Sequence, residues 1–182
     1  VEVPVGEELR VANELNRDAS VAFAEPDLLV PPAAVVNDPS YGSQWHLPLM
    51  TAPTAWLETM GAGVTVAVCD TGINAAHPDL SGQVINGYNT ASNTTDTSDI
   101  NGHGTWVAGV IAAKVNNLIG GASVAPTAKL LAMRITDRTD SWAYFSDMAE
   151  CVTWAADRGA RVANLSFGGV PGSATVASAA GP

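Results

Sequence analysis

Two residues of this 182-residue sequence combine types and surroundings that could do hydrolytic chemistry together: Asp70 and His103. Asp70 closes the apolar, β-branched run Val64-Thr65-Val66-Ala67-Val68-Cys69, and Thr71-Gly72 breaks that pattern at once. The run reads as a strand buried on both faces, so the carboxylate sits at a strand's carboxyl end, where open parallel sheets place their ligand sites. A buried acid there needs a hydrogen-bonding partner to stay ionised. His103 stands between Gly102 and Gly104, just before Thr105-Trp106-Val107-Ala108-Gly109-Val110-Ile111-Ala112-Ala113, a small and apolar stretch suited to a tightly buried helix. An acid that fixes the tautomer of an imidazole leaves the second ring nitrogen free to take a proton from a hydroxyl nucleophile. The acid precedes the base in the chain, which is the order Asp, His, Ser.

Further segments follow in an order that carries a resemblance. They are His77-Pro78-Asp79-Leu80, Asn116-Asn117-Leu118-Ile119-Gly120-Gly121, Val124-Ala125-Pro126 and Asn164-Leu165-Ser166-Phe167-Gly168-Gly169. Together with the Asp-Thr-Gly and His-Gly-Thr segments they resemble the subtilisin-like serine protease (subtilase) family over most of the chain. The resemblance implies a secreted serine endopeptidase in which Asp70 orients His103 as base. It also implies that Ser166, Phe167 and Gly168 offer backbone groups to an extended polypeptide substrate added as a strand. A structural calcium ion is implied as well, held by the Asp79 carboxylate, the Asn117 side chain and the carbonyls of Val115, Ile119 and Gly121, with Gln44 a further candidate, a hard oxygen set suited to that ion. Trp106 stands where the family often has a second histidine, a change expected to alter packing and not proton transfer.

The third member of the triad is not legible. No later serine lies in a Gly-Thr-Ser-x-small context; Ser173 falls in a Pro-Gly-Ser turn and Ser178 in an alanine-rich stretch that reads as the start of a helix. Neither is assigned as nucleophile, and local hydrogen bonding is the expected role of each. The family carries its oxyanion asparagine and its serine further downstream, so the chain is expected to be a fragment truncated before the catalytic serine and silent as a peptidase by itself. Two other readings stand beside this one. A protease-like scaffold could bind extended peptide, or its own propeptide, without catalysis. An aspartic protease could use Asp70-Thr71-Gly72, but that reading leaves His103 without a task and needs a second acid.

The elements that must position these residues alternate between strand and helix. A short helix at 54–60 precedes the strand at 64–69; a second strand near 83–88, the helix after His103, a strand at 129–135, a helix within 142–158 and a strand at 161–165 follow. Phe145, Met148, Ala149, Val152 and Ala156 lie close to helical spacing, and Gly159 ends that helix. The rhythm predicts an α/β fold, a parallel sheet with helices on both faces, incomplete at its C-terminal side. The polar run at 89–101 reads as an exposed loop leading into His103.

Before this region, Ser20-Val21-Ala22-Phe23-Ala24-Glu25-Pro26-Asp27-Leu28 resembles the closing strand of an inhibitor-type propeptide, with a helix region at 6–15 before it. The expected division is therefore propeptide end at 1–30, a processing linker at 31–40 containing Pro31-Pro32-Ala33-Ala34 and Asn37-Asp38-Pro39, and the N-terminal part of a peptidase domain at 41–182. The sequence begins with Val1 and shows no charged segment followed by an apolar one, so export is inferred from the propeptide resemblance alone.

Composition narrows the partners. Eight basic against eighteen acidic residues give a formal charge of −10, which argues against nucleic acid or an anionic membrane and agrees with calcium binding. No apolar run reaches the length of a membrane span, and a soluble monomer is expected. Cys69 ends a buried strand and Cys151 lies on an apolar helix face, so buried thiols are expected in preference to a bridge.

Overall fold

The computed structural model describes residues 2–27, 35–168 and 173–181. The chain divides into two compact units, Val1–Ala33 and Ala34–Pro182. Within the first, α1 spans Glu8–Leu15, and Arg10 pairs with Glu7 and Glu14 along its exposed face. The Asn16 side chain then donates to Ala24 O and accepts from Ala24 N, which folds the following segment back. The expected propeptide strand at 20–28 is not formed over its described residues, because its backbone is held by this side-chain clasp and by the Asp18–Ser20 turn with no strand partner. Leu28 and Pro31-Pro32-Ala33-Ala34 lie outside the described residues.

The second unit is built around one parallel sheet. Short helices α2 (His46–Leu49) and α3 (Ala52–Glu58) precede β1 (Thr65–Asp70), and β2 (Val84–Asn89), α4 (His103–Ala112), β3 (Lys129–Arg134), α5 (Phe145–Asp157), β4 (Val162–Asn164) and α6 (Ala174–Ala179) follow. The strand order is β2-β3-β1-β4, all parallel, so β1 is internal, with Asp70 in register with Arg134.

Strand alternation explains both faces. Val66, Val68, Leu130 and Ala132 point to one side and pack with Ala108 and Ala112 of α4. Ala67, Cys69, Leu131 and Met133 point to the other and pack with Met148, Cys151 and Ala155 of α5. A strand covered on both sides has no polar positions to alternate, which is why β1 reads as a continuous apolar run. Tyr88 of β2 stacks on Trp154 of α5 with ring centroids 5.5 Å apart, and the Arg158 guanidinium lies 3.5 Å over the same indole.

Two expectations change here. Cys69 and Cys151 form a disulfide that ties β1 to α5, with both residues fully buried. An apolar environment suits bridged and free sulfur alike, so burial alone could not decide between them. The Asn37-Asp38 part of the expected linker is also not open chain: Asp38 is buried and its carboxylate accepts from the backbone N–H groups of Asn116 and Asn117 at 2.8 and 3.0 Å.

Candidate active site

Asp70 and His103 meet at the carboxyl end of the sheet. The Asp70 side chain is fully buried, His103 is 41% exposed, and His103 Nδ1 lies 2.8 Å from Asp70 Oδ1. The same oxygen accepts from Thr71 N at 2.7 Å, while Oδ2 is buried with no hydrogen-bond partner among the described residues. A carboxylate can only accept, so an ionised Asp70 requires the ring proton on Nδ1 and leaves Nε2 as a lone-pair acceptor.

Close backbone contact makes this meeting possible. Gly72 has φ +102°, and a Cβ there would sit 2.4 Å from Ser98 O; a Cβ at Gly104 would sit 2.1 Å from Gly72 O. The turn after β1 therefore nests directly against the first turn of α4, and no side chain fits between them.

The first turn of α4 has no cap from Gly102, its N-cap residue. Its leading N–H groups are satisfied by other means: His103 N by Asn101 Oδ1 at 3.3 Å, Gly104 N by Thr71 Oγ1 at 3.0 Å, Thr105 N by Asp99 Oδ2 at 3.0 Å and Trp106 N by Gly102 O at 3.0 Å. The polar run at 89–101 is thus more than solvated loop. Asn89, Thr90 and Thr97 are buried, and Asp99 gathers donors from the turn after β1 and from the start of α4. Burial opposes ionisation of Asp99, but the hydrogen bonds from the Thr105 hydroxyl, the Asn101 and Gly102 N–H groups and the Thr71 hydroxyl outweigh it and hold the carboxyl below its usual range. Asp99 was not singled out in the sequence; its position four residues before His103, within a Ser/Thr/Asn/Asp run, was the available signal.

His103 lines a cavity of about 810 Å³ together with Trp142, Phe145, Leu165, Ser166, Phe167 and Gly168. The Phe167 ring stands edge-on to the imidazole at 6.5 Å between centroids, and Asn164 Nδ2 donates to Ser166 Oγ at 2.9 Å. Gly169 lies outside the described residues. Ser173 caps α6, its Oγ accepting from Val176 N at 3.4 Å, and Ser178 lies within that helix.

Of the expected metal ligands, Gln44, Asp79 and Gly121 line a second cavity, and Val115, Asn117 and Ile119 do not. Asp79 is buried, and the hydrogen bond on its carboxylate among the described residues comes from a neutral donor, Asn117 Nδ2, at 2.8 Å. Asn117 Oδ1 accepts from Ile119 N at 2.9 Å, Gln44 Oε1 accepts from Ala122 N at 2.8 Å, and Val115 packs beside Leu47 and Trp56. A Cβ at Gly120 would lie 2.3 Å from Asp79 Oδ2, so the loop backbone closes tightly over the carboxylate. A buried carboxylate whose hydrogen-bond donor is neutral fits a hard cation, although Asn117 turns Nδ2 and not Oδ1 toward Asp79.

A parallel α/β sheet with an acid–imidazole pair at its carboxyl end, acid first in the chain, defines a class, and the comparisons with known proteins agree with it. The family model described as the subtilase family matches residues 61–181, and the chain belongs to that family. It is 43% identical over 166 residues to the thermophilic serine proteinase of Bacillus sp. (strain AK1), covering 90% of this chain and 41% of that protein. It is 42% identical over 137 residues to thermitase of Thermoactinomyces vulgaris, covering 75% of this chain and 49% of that protein. Among solved structures, a protease from Pseudoalteromonas arctica superposes with a TM-score of 0.71 at 31% identity over 80% of this chain and 55% of that one. Fervidolysin from Fervidobacterium pennivorans, a keratinolytic enzyme related to subtilisin, gives a TM-score of 0.60 at 40% identity over 68% of this chain and 20% of that one. The chain therefore spans less than half the length of these curated relatives.

Proposed function

We propose that this chain is part of a secreted, calcium-stabilised serine endopeptidase that cleaves peptide bonds with an Asp-His-Ser triad whose serine lies outside these 182 residues. The observation that carries the reading is the 2.8 Å contact between His103 Nδ1 and the buried Asp70 carboxylate at the sheet's carboxyl end. Asp70 holds the imidazole with its proton on Nδ1 and stabilises the imidazolium once formed; Nε2 takes the proton from the serine hydroxyl and returns it to the leaving amine. Extended substrate would lie along Ser166-Phe167-Gly168, its backbone pairing as an added strand beside the imidazole. The partner of Asp70 is an imidazole, which speaks against an aspartic protease reading, since that chemistry needs a second carboxylate sharing its proton.

Asp79, Asn117 and Gln44, with carbonyls of Val115, Ile119 and Gly121, would hold calcium, which supplies charge neutralisation for Asp79 and a tie between the loop and the amino-terminal segment. The buried disulfide supports an oxidising compartment and hence export. The first unit is read as the end of the protein's own propeptide, with processing between it and the peptidase region.

The test uses the full-length protein that contains this chain. A fluorophosphonate probe should label it, and His103→Ala should remove labelling and lower peptide hydrolysis by about 10⁴-fold or more. Parent-level hydrolysis in His103→Ala would exclude the assigned base, whereas a full-length parent that neither hydrolyses peptide nor takes the probe would leave the non-catalytic scaffold as the better reading.

A further inference from the structure

Asp99 hydrogen-bonds to neither Asp70 nor His103, yet its carboxylate accepts five hydrogen bonds from residues that flank the two. Oδ1 accepts from Thr71 Oγ1 at 2.8 Å, Asn101 N at 3.0 Å and Gly102 N at 2.8 Å; Oδ2 accepts from Thr105 N at 3.0 Å and from the Thr105 hydroxyl. Two of these partners act as relays. Thr71, the residue after Asp70, donates to Asp99 and accepts from Gly104 N, the residue after His103. Thr105 donates its hydroxyl to Asp99 and accepts from Asn74 N at 2.9 Å.

We infer that Asp99 is a positioning residue for the Asp70–His103 pair: its carboxylate replaces the missing N-cap of α4 and, through the Thr71 hydroxyl, locks the start of that helix to the end of β1. The inference rests on the reading of Asp70 and His103 as acid and base. The geometry requires an ionised carboxylate. All five donors point at oxygen, so an amide at this position turns one acceptor into a donor facing the Thr105 N–H and hydroxyl, or the three donors on the other oxygen. A negative group three residues ahead of His103's neighbour Gly102 also complements the positive end of α4. Displacement of a catalytic group by an ångström can cost about 10²-fold in rate.

The experiment compares Asp99→Asn, Thr71→Val, Thr71→Ser, His103→Ala and, as a control, Asp96→Asn in the full-length protein, assayed on a peptide p-nitroanilide well below every variant's unfolding temperature. Asp99→Asn should lower kcat by about 10- to 100-fold while KM stays within about threefold, because Ser166, Phe167 and Gly168 do not touch Asp99. The His103 Cε1 proton resonance, followed by NMR against pH, should behave differently in Asp99→Asn and in the parent. Thr71→Val, near-isosteric and lacking only the hydroxyl, should move kcat and the titration in the same sense, and Thr71→Ser should restore most of what Thr71→Val loses. Asp96→Asn removes the same charge three residues upstream and should leave kcat and titration at parent values. A purely structural role would lower the unfolding temperature of Asp99→Asn and leave both readouts unmoved, and that outcome overturns the inference. If Asp99→Asn fails to fold, the Thr71 pair decides by the same criteria. Full activity of His103→Ala would sink the acid–base reading itself, whereas inactive His103→Ala with unperturbed Asp99→Asn and Thr71→Val sinks only the role of Asp99.

Discussion

At the scale of residues, the site depends on how little space separates two backbone segments. Gly104→Ala would push a methyl to 2.1 Å from Gly72 O, between a strand end and a helix start that cannot both retreat. Overpacking of that kind costs about 1–3 kcal/mol, and here it also pries His103 from Asp70. The expected result is a lower unfolding midpoint in urea together with a kcat deficit larger than the stability loss explains; parent-like kcat would show that the turn gives way without moving the imidazole. Asp99 adds a pH dependence of known sign. Its carboxyl is held below the usual range in the fold, so it favours the folded state fully above its unfolded value of about 3.9, and that contribution is lost as pH falls through its lower folded value. Urea titrations of parent and Asp99→Asn should therefore differ at neutral pH and converge near pH 2; a constant difference across that range would refute the assignment. Asp70 and His103 were legible in the sequence because each is the hinge of a pattern change, from strand to turn and from loop to helix. Asp99 was not, because a carboxylate in a polar run looks the same whether it faces water or five donors.

At the scale of elements, the strands and helices were legible to within a few residues wherever both faces are covered. The apolar runs of β1 and β3 follow from packing on α4 one way and α5 the other, whereas α5 meets the sheet through Met148, Cys151 and Ala155, with Phe145 and Ala156 of its sequence spacing exposed. The bridge between Cys69 and Cys151 was not legible, since pairing depends on which residue of α5 stands over the end of β1. It spans 82 residues of sequence and, by loop-closure entropy, should contribute about 4 kcal/mol. Both sulfurs are buried, so reductant should act slowly on the folded protein. The cleaner measurement is the double variant Cys69→Ala, Cys151→Ala, expected to lose about 2–5 kcal/mol in denaturant unfolding; equal midpoints would mean that packing alone seats α5. Asp38 was hidden for a related reason. A Pro/Asn-rich stretch reads as connector, and only the fold shows its carboxylate holding the 116–117 backbone.

At the scale of the whole molecule, a charge of −10 and a buried Asp79 with a neutral hydrogen-bond donor point the same way. Calcium at a hundred times its dissociation constant should add about 2.7 kcal/mol to stability, and chelation should remove it. Asp79→Asn should abolish the difference between calcium and chelator in thermal unfolding, while a variant that keeps the full shift would place the ion elsewhere. Strand order carries a last consequence, for synthesis. β1 is flanked by strands that come much later in the chain, at 129–134 and 162–164, so a nascent polypeptide must keep this apolar segment unpaired until the first has emerged from the ribosome and paired on one side only until the second has. Translation stalled between those two points should yield a chain that trace protease digests readily and that recruits holdases, and only release past 164 should allow the segment ending in Asp70 to acquire its second flank.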